Sequence, residues 1–226
     1  MAKAVVLLSG GLDSSLVLAW AIQQGIDCHA LSFDYKQKHA VELQAAARIA
    51  AHYGVPHTLL SIDPNAFGQI SALTGKTQAH IGRDTRTIET SGTPNTYVPA
   101  RNTIFLAYAT ALAEVLEADE IHCGPNKLDC TPYVDCRPEF LNAFQNLLKL
   151  ATARAVEGNA PQLKAPLLLL DKKEIILKAA ELQVPLHLTH TCYNPDGTIH
   201  CGQCDACYLR KQGFAQAGLH DTVKYK

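Results

Sequence analysis

Two sets of residues in this chain have the type and spacing to do chemistry. The first is Ser9-Gly10-Gly11-Leu12-Asp13-Ser14-Ser15, where a strand-like run, Lys3 to Leu8, empties into a segment that is apolar and helical through about Gln24. Glycines let the backbone approach a ligand, and a helix N-terminus aims unpaired N–H groups and a partial positive charge at it. Ser9, Ser14 and Ser15 add hydroxyl donors, so the guest this junction suits is a phosphate chain. The second set is Cys192, Cys201, Cys204 and Cys207, spaced C-x8-C-x2-C-x2-C. Two turns of C-x2-C set three thiolates around one centre, and the loop Tyr193 to His200, with Pro195 and Gly197, returns the fourth. Four sulfurs at about 2.3 Å make a closed tetrahedral zinc site with no open position for catalysis.

Both motifs are also defined by what they lack. A Walker A loop needs a lysine after its glycines, and a dinucleotide fingerprint needs G-x-G-x-x-G; neither is present at Ser9 to Ser15. S-G-G-x-D-S resembles the PP-loop of ATP pyrophosphatases, which hold the pyrophosphate of ATP while its α-phosphorus is attacked. The plainer reading is a Gly-Gly turn with Asp13 or Ser14 as helix N-cap. For the cysteines, an iron–sulfur cluster is the rival, since C-x2-C-x2-C is part of a ferredoxin run. That run continues x3-C-P, whereas Cys207 leads into Tyr208-Leu209-Arg210 with no further cysteine, which favours zinc. His190 and His200 flank the cluster and read as supporting or surface residues. Cys28 and Cys123 sit in strand patterns and read as small core residues, while Cys136, in an irregular stretch, is placed to lie near a substrate.

The elements that must position these residues alternate. After the first strand and helix come a strand at Asp27–Phe33, a helix at Val41–Tyr53 and a strand at His57–Ile62, a βαβαβ order that predicts a parallel sheet with helices on both faces. Residues 63–95 break the rhythm and read as a lid over the nucleotide or a surface excursion. A helix is expected over Asn102–Glu117, a fourth strand over Glu120–Gly124 and a helix from Glu139 to about Glu157. Pro161–Leu170 reads as a loop running into a short apolar segment, and Asp171 as the N-cap of a last core helix to about Gln183. The fold class is therefore α/β: a Rossmann-like nucleotide-binding domain over 1–185, with a small zinc-binding helical and loop region over 186–226 packed on it.

Composition narrows the function. The 226 residues are 47% hydrophobic and 18% charged with net charge −1, so no basic footprint for nucleic acid is present. No apolar stretch approaches the ~20 residues that span a bilayer, and no signal peptide precedes the first strand. A cytoplasmic protein is expected, in which eight cysteines are no disulfide framework.

With these residues in hand, the chain resembles the 7-cyano-7-deazaguanine synthase family of the PP-loop superfamily, which serves queuosine biosynthesis. The resemblance runs over about residues 3–215. It is carried by Ser9 to Ser14, Phe33-Asp-Tyr-Lys-Gln-Lys-His39, Pro94-Asn-Thr-Tyr-Val-Pro-Ala-Arg-Asn102, Tyr133-Val-Asp-Cys-Arg137 with Glu139-Phe140, and Thr191-Cys-Tyr-Asn194 through Cys207. The chain has Lys36, Ala100 and Val134 where the family usually has F-D-Y-G-Q, V-P-G-R-N and Y-P-D-C-R. The resemblance implies an ATP-dependent ligase that turns 7-carboxy-7-deazaguanine and ammonia into the nitrile through acyl-adenylate and amide intermediates, releasing two AMP and two pyrophosphates. An adenylating enzyme acting on a tRNA base or another carboxylate is the alternative. It further implies ATP binding by Leu8 to Ser15, catalytic roles for Asp13, Arg101 and Lys38, and substrate contacts from Arg101, Asp135 and Arg137. Magnesium accompanies ATP, His39 joins Lys38 beside the phosphates, one structural zinc per chain sits on the four cysteines, and a homodimer is plausible for the family.

Overall fold

A computed structural model describes residues 1–37, 41–75 and 77–226. The first half follows the sequence reading closely: β1 (Lys3–Leu7), α1 (Leu12–Gln23), β2 (Asp27–Asp34), α2 (Val41–Tyr53) and β3 (His57–Ser61). A long excursion carrying the short α3 (Thr85–Thr90) leads into α4 (Arg101–Val115) and β4 (Glu120–His122).

Two expectations in the second half are corrected. The single helix expected over Glu139 to Glu157 is two, α5 (Pro138–Leu148) and α6 (Ala153–Val156). The chain turns at Leu150, whose N–H donates to the Leu147 carbonyl at 2.9 Å, and a new N-terminus begins. There Thr152 accepts from Ala155 N at 3.1 Å and the Glu114 carboxylate from Ala153 N at 2.8 Å. Within the expected loop, Gln162–Lys164 forms a short strand, β5, along β4. Three residues carry too little alternation to reveal a strand by pattern. The rest agrees: α7 (Lys172–Glu181) starts at Asp171 with a capping box to Glu174, and α8 (Asp205–Ala217) follows the cysteines.

All five strands are parallel, in the order β3-β2-β1-β4-β5. The pleat of β1 sends Ala4 and Val6 to one face, with α1, α2 and α7, and Val5 to the other, with Leu106 of α4 and Leu141 and Phe144 of α5. Each fully buried aliphatic side chain contributes about 2 kcal/mol. Phe214 of α8 joins the first face, and Gly213 lets α8 sit directly on α7, since a Cβ there would lie 2.6 Å from Lys172 Cγ and 2.7 Å from Ile176 Cδ1. The strand order reverses at β1, whose neighbours are β2 and β4, so a crevice opens at the carboxyl ends of β1 and β4. The Ser9 to Ser15 loop leaves β1 at that crevice.

Candidate active site

The loop's shape follows from two backbone facts. Gly10 has φ +85°, and a Cβ on it would meet the Glu42 carbonyl oxygen at 2.4 Å and Ala46 N at 2.6 Å. Only glycine fits between β1 and the start of α2. Gly11 then stands in the cap position of α1, where no side chain caps the helix among the described residues. The plainer reading, with Asp13 or Ser14 as the N-cap, does not hold there, which leaves the amides of the first turn facing the crevice. The hydroxyls bond inward: Ser15 Oγ donates to the Gly11 carbonyl at 2.6 Å, and Ser9 and Ser14 Oγ lie 3.0 Å apart. The loop is thus braced by its own serines.

Asp13 points away from the helix backbone to a partner that sequence reasoning missed. Lys172 Nζ, at the first position of α7, lies 2.8 Å from both Asp13 carboxylate oxygens, and Asn126 Nδ2 donates to Oδ2 at 2.7 Å. A lysine at a helix start reads from sequence as a solvated charge. Only the capping box at Asp171, which fixes where α7 begins, hinted at its direction. Asp129 lies close by, and burial, reinforced by the charge of Asp13, raises its carboxyl to about 6.

These groups line a cavity of about 310 Å³ over the carboxyl ends of β1, β2 and β4. Leu8, Ser9, Gly11, Leu12, Asp13 and Ser14 form one side, and Arg101, Asp135 and Cys136 line it as well. Arg101 begins α4, its guanidinium carbon 5.9 Å from the Phe105 ring centroid. Burial works against its charge, but the surrounding Tyr35 and Tyr133 phenols hold its pKa above the usual value. Glu42 on the same wall is pushed by burial to about 7, against the pull of Arg101. Asp135 is buried and has a structural task too: its carboxylate accepts from Asn102 N at 3.0 Å, in the first turn of α4. Asn102 Nδ2 donates in turn to Cys136 Sγ at 3.2 Å.

Arg137, expected beside the substrate, points elsewhere. It is exposed, and its guanidinium donates to the carbonyls of Cys130 and Thr131, both at 3.3 Å. Its position as the cap residue of α5, just before Pro138, turns it out of the cavity. Lys38 and His39 lie outside the described residues. Lys36 and Ala100, which stand where the family usually has glycine, both take positive φ, +55° and +51°.

The four cysteine sulfurs lie within 4.8 Å of one another. Cys192, Cys204 and Cys207 are fully buried. Backbone N–H groups converge on them: Asn194 and Cys201 donate to Cys192 Sγ at 3.3 and 3.2 Å, Tyr193 to Cys204 Sγ at 3.4 Å, and Cys204 to Cys201 Sγ at 3.3 Å. Amides aimed at sulfur favour thiolates, so the donor set fits a thiophilic metal. The flanking histidines, expected as supporting or surface residues, are both buried, and His200 Nε2 accepts from Thr191 N at 3.1 Å.

The cysteine segment also reaches the loop. His190 N donates to the Gly10 carbonyl at 2.8 Å, and His190, Thr191 and Tyr193 line the cavity. Buried Arg210 of α8 secures this stretch, donating to Thr189 and Thr191 hydroxyls at 2.8 and 2.9 Å and pairing with Asp221. The 63–95 excursion braces it from outside: Gly82 N donates to the Gln203 carbonyl at 3.0 Å, and Arg83 pairs with Asp205. The same excursion contributes Leu73 to the cavity wall, and Thr96 follows directly after it.

The family described as "Queuosine biosynthesis protein QueC" matches residues 3–218. The chain belongs to that family. Similar proteins span it nearly end to end. The 7-cyano-7-deazaguanine synthase of Desulfatibacillum aliphaticivorans is 49% identical, covering 99% of this chain and 96% of its own length. That of Stenotrophomonas maltophilia (strain K279a) is 49% identical over 100% of both. Among solved structures, the NMN synthetase from Francisella tularensis shares the fold with a TM-score of 0.51 at 18% identity, covering 97% of this chain and 78% of that one. No helix of the described residues is long and apolar enough to cross a membrane.

Proposed function

We propose that this chain is a carbon–nitrogen ligase that makes 7-cyano-7-deazaguanine from 7-carboxy-7-deazaguanine and ammonia with two ATP. The observation that carries the reading is one cavity lined by the Ser9 to Ser14 loop, Arg101 and the Tyr133 to Cys136 segment together, in a chain of the QueC family. Full-length relatives bearing the synthase name favour the deazapurine acceptor over a tRNA base.

A carboxylate is a poor electrophile. Its oxygen attacks the α-phosphorus of ATP, pyrophosphate leaves, and the acyl-adenylate carries AMP as a leaving group. Ammonia displaces AMP and loses a proton to give the amide. Adenylation of the amide oxygen, then loss of AMP and of both protons on the amide nitrogen, gives the nitrile. The first-turn amides of Leu12 to Ser14 hold pyrophosphate, and Arg101 pairs with the acceptor carboxylate or the α-phosphate. Asp13, oriented by Lys172 and Asn126, faces the phosphates. Magnesium bound with ATP neutralises phosphate charge.

Cys192, Cys201, Cys204 and Cys207 hold one structural zinc. It supplies no reactive position and ties the 190–207 segment into one geometry. Zinc predicts a colourless preparation with one metal per chain; a brown one assigns the cluster to iron–sulfur. A cytoplasmic location and a homodimer complete the reading, the latter checked by light scattering. The test of function is direct. The chain is incubated with ATP, magnesium, ammonium and 7-carboxy-7-deazaguanine. The nitrile is sought by mass, with two AMP per product. AMP formation that depends on tRNA and ignores the deazapurine overturns the reading.

A further inference from the structure

Three hydroxyl-bearing side chains line the cavity that the serine loop opens into, and each comes from a different irregular segment. Thr96 Oγ1 lies 2.8 Å from the Tyr133 hydroxyl, and the Tyr193 ring lines the same wall. Thr96 follows the excursion, Tyr133 sits in the loop after β4, and Tyr193 is the residue after Cys192. Tyr193 also lines a smaller cavity of about 120 Å³, shared with Asp13, Lys172 and Thr191, so its side chain stands at the junction of the two spaces.

Its backbone is fixed by the cysteine cluster rather than by a helix or strand. Tyr193 N donates to Cys204 Sγ at 3.4 Å, and the next amide, Asn194 N, donates to Cys192 Sγ at 3.3 Å. Asn194 Nδ2 ties the same turn to the Ala79 carbonyl at 3.3 Å. A tyrosine combines a rigid apolar face with one polar end at small conformational cost. Held this way, it suits a flat heteroaromatic acceptor with polar edges.

We infer that Tyr193 is a specificity-determining residue for the acceptor, stacking on or hydrogen-bonding the deazapurine, and that the cysteine cluster serves the reaction by holding this one side chain in place. The inference rests on the proposed ligase reading. It accounts for a closed metal site lying so near the cavity: it orders a recognition loop that no regular element supports.

The test is equilibrium binding of 7-carboxy-7-deazaguanine, without ATP, to the metal-loaded wild-type chain, Tyr193→Phe and Tyr193→Ala, alongside ATP binding and metal content. One hydrogen bond to the acceptor is worth about tenfold in Kd, so Tyr193→Phe weakens acceptor binding about tenfold or less, and Tyr193→Ala by more. Metal stoichiometry and ATP affinity stay at wild-type values in both. Unchanged acceptor affinity in both variants overturns the assignment, as does an equal loss of ATP affinity, which marks a merely structural tyrosine. A wild-type chain that binds no 7-carboxy-7-deazaguanine sinks the ligase reading with it. Tight wild-type binding with unaffected variants sinks the Tyr193 assignment alone.

Discussion

Lys172 Nζ lies 2.8 Å from both carboxylate oxygens of Asp13, although 159 residues separate them. The pair joins the Ser9 to Ser15 loop after β1 to the first turn of α7. Both side chains are about four-fifths buried, so removing either leaves a charge poorly solvated. Asp13→Ala and Lys172→Met are each expected to lower turnover at least about a hundredfold, while the metal stays bound. In a double-mutant cycle the two share a coupling of about 1–3 kcal/mol. Pyrophosphate release and urea unfolding check both halves, and additive effects refute the pairing.

Gly10→Ala should be among the most damaging single-methyl additions in the chain. Its Cβ meets backbone atoms of α2 at 2.4 and 2.6 Å, which no side-chain motion relieves, and its φ is +85°. A loss of about 3 kcal/mol or more is expected, read as a lower urea midpoint. An unchanged midpoint contradicts the close packing of loop on α2.

Ala100→Gly should do the opposite. Ala100 has φ +51° and occupies the N-cap of α4, two settings in which glycine outperforms alanine. A gain of about 0.5–1 kcal/mol is expected after glycine's extra chain entropy is subtracted. Thermal unfolding measures it. The gain is largest if the Arg101 that follows keeps its place, which unaltered ATP affinity would report.

The legible part of this molecule was its local grammar. The strand, glycine turn and helix around Ser9 to Ser15 are set by adjacent residues, as is the N-cap at Asp171, and both stand where the sequence places them. The α5–α6 break escaped because part of the capping comes from Glu114, about forty residues away, which joins Thr152 at the start of the new helix. β5 escaped because its three residues become a strand only through β4. In the site, Asp135 and Cys136 reach the cavity and Arg137 does not. That outcome hangs on the direction of one turn before Pro138, which residue type leaves open. Lys172 is the same lesson in reverse, since its role exists only through α7's placement against the loop.

Asp129 offers a pH test. Its carboxyl is raised to about 6 by burial and by Asp13, so between the unfolded value near 4 and 6 the folded chain binds the extra proton. Stability therefore falls as pH rises through that window, by roughly 3 kcal/mol at most. Asp129→Asn, which keeps an oxygen for Asn126 N, should be more stable than wild type by about 1–2 kcal/mol at pH 7.5. That advantage should vanish below pH 4. Unfolding curves at the two pH values decide, and an advantage independent of pH would assign it to something other than the charge.

The hydrogen bond from His190 N to the Gly10 carbonyl joins the cysteine segment to the glycine loop through one backbone contact. On the proposed reading thermodynamic reciprocity applies across that contact: whatever factor nucleotide adds to metal retention, metal returns to nucleotide affinity.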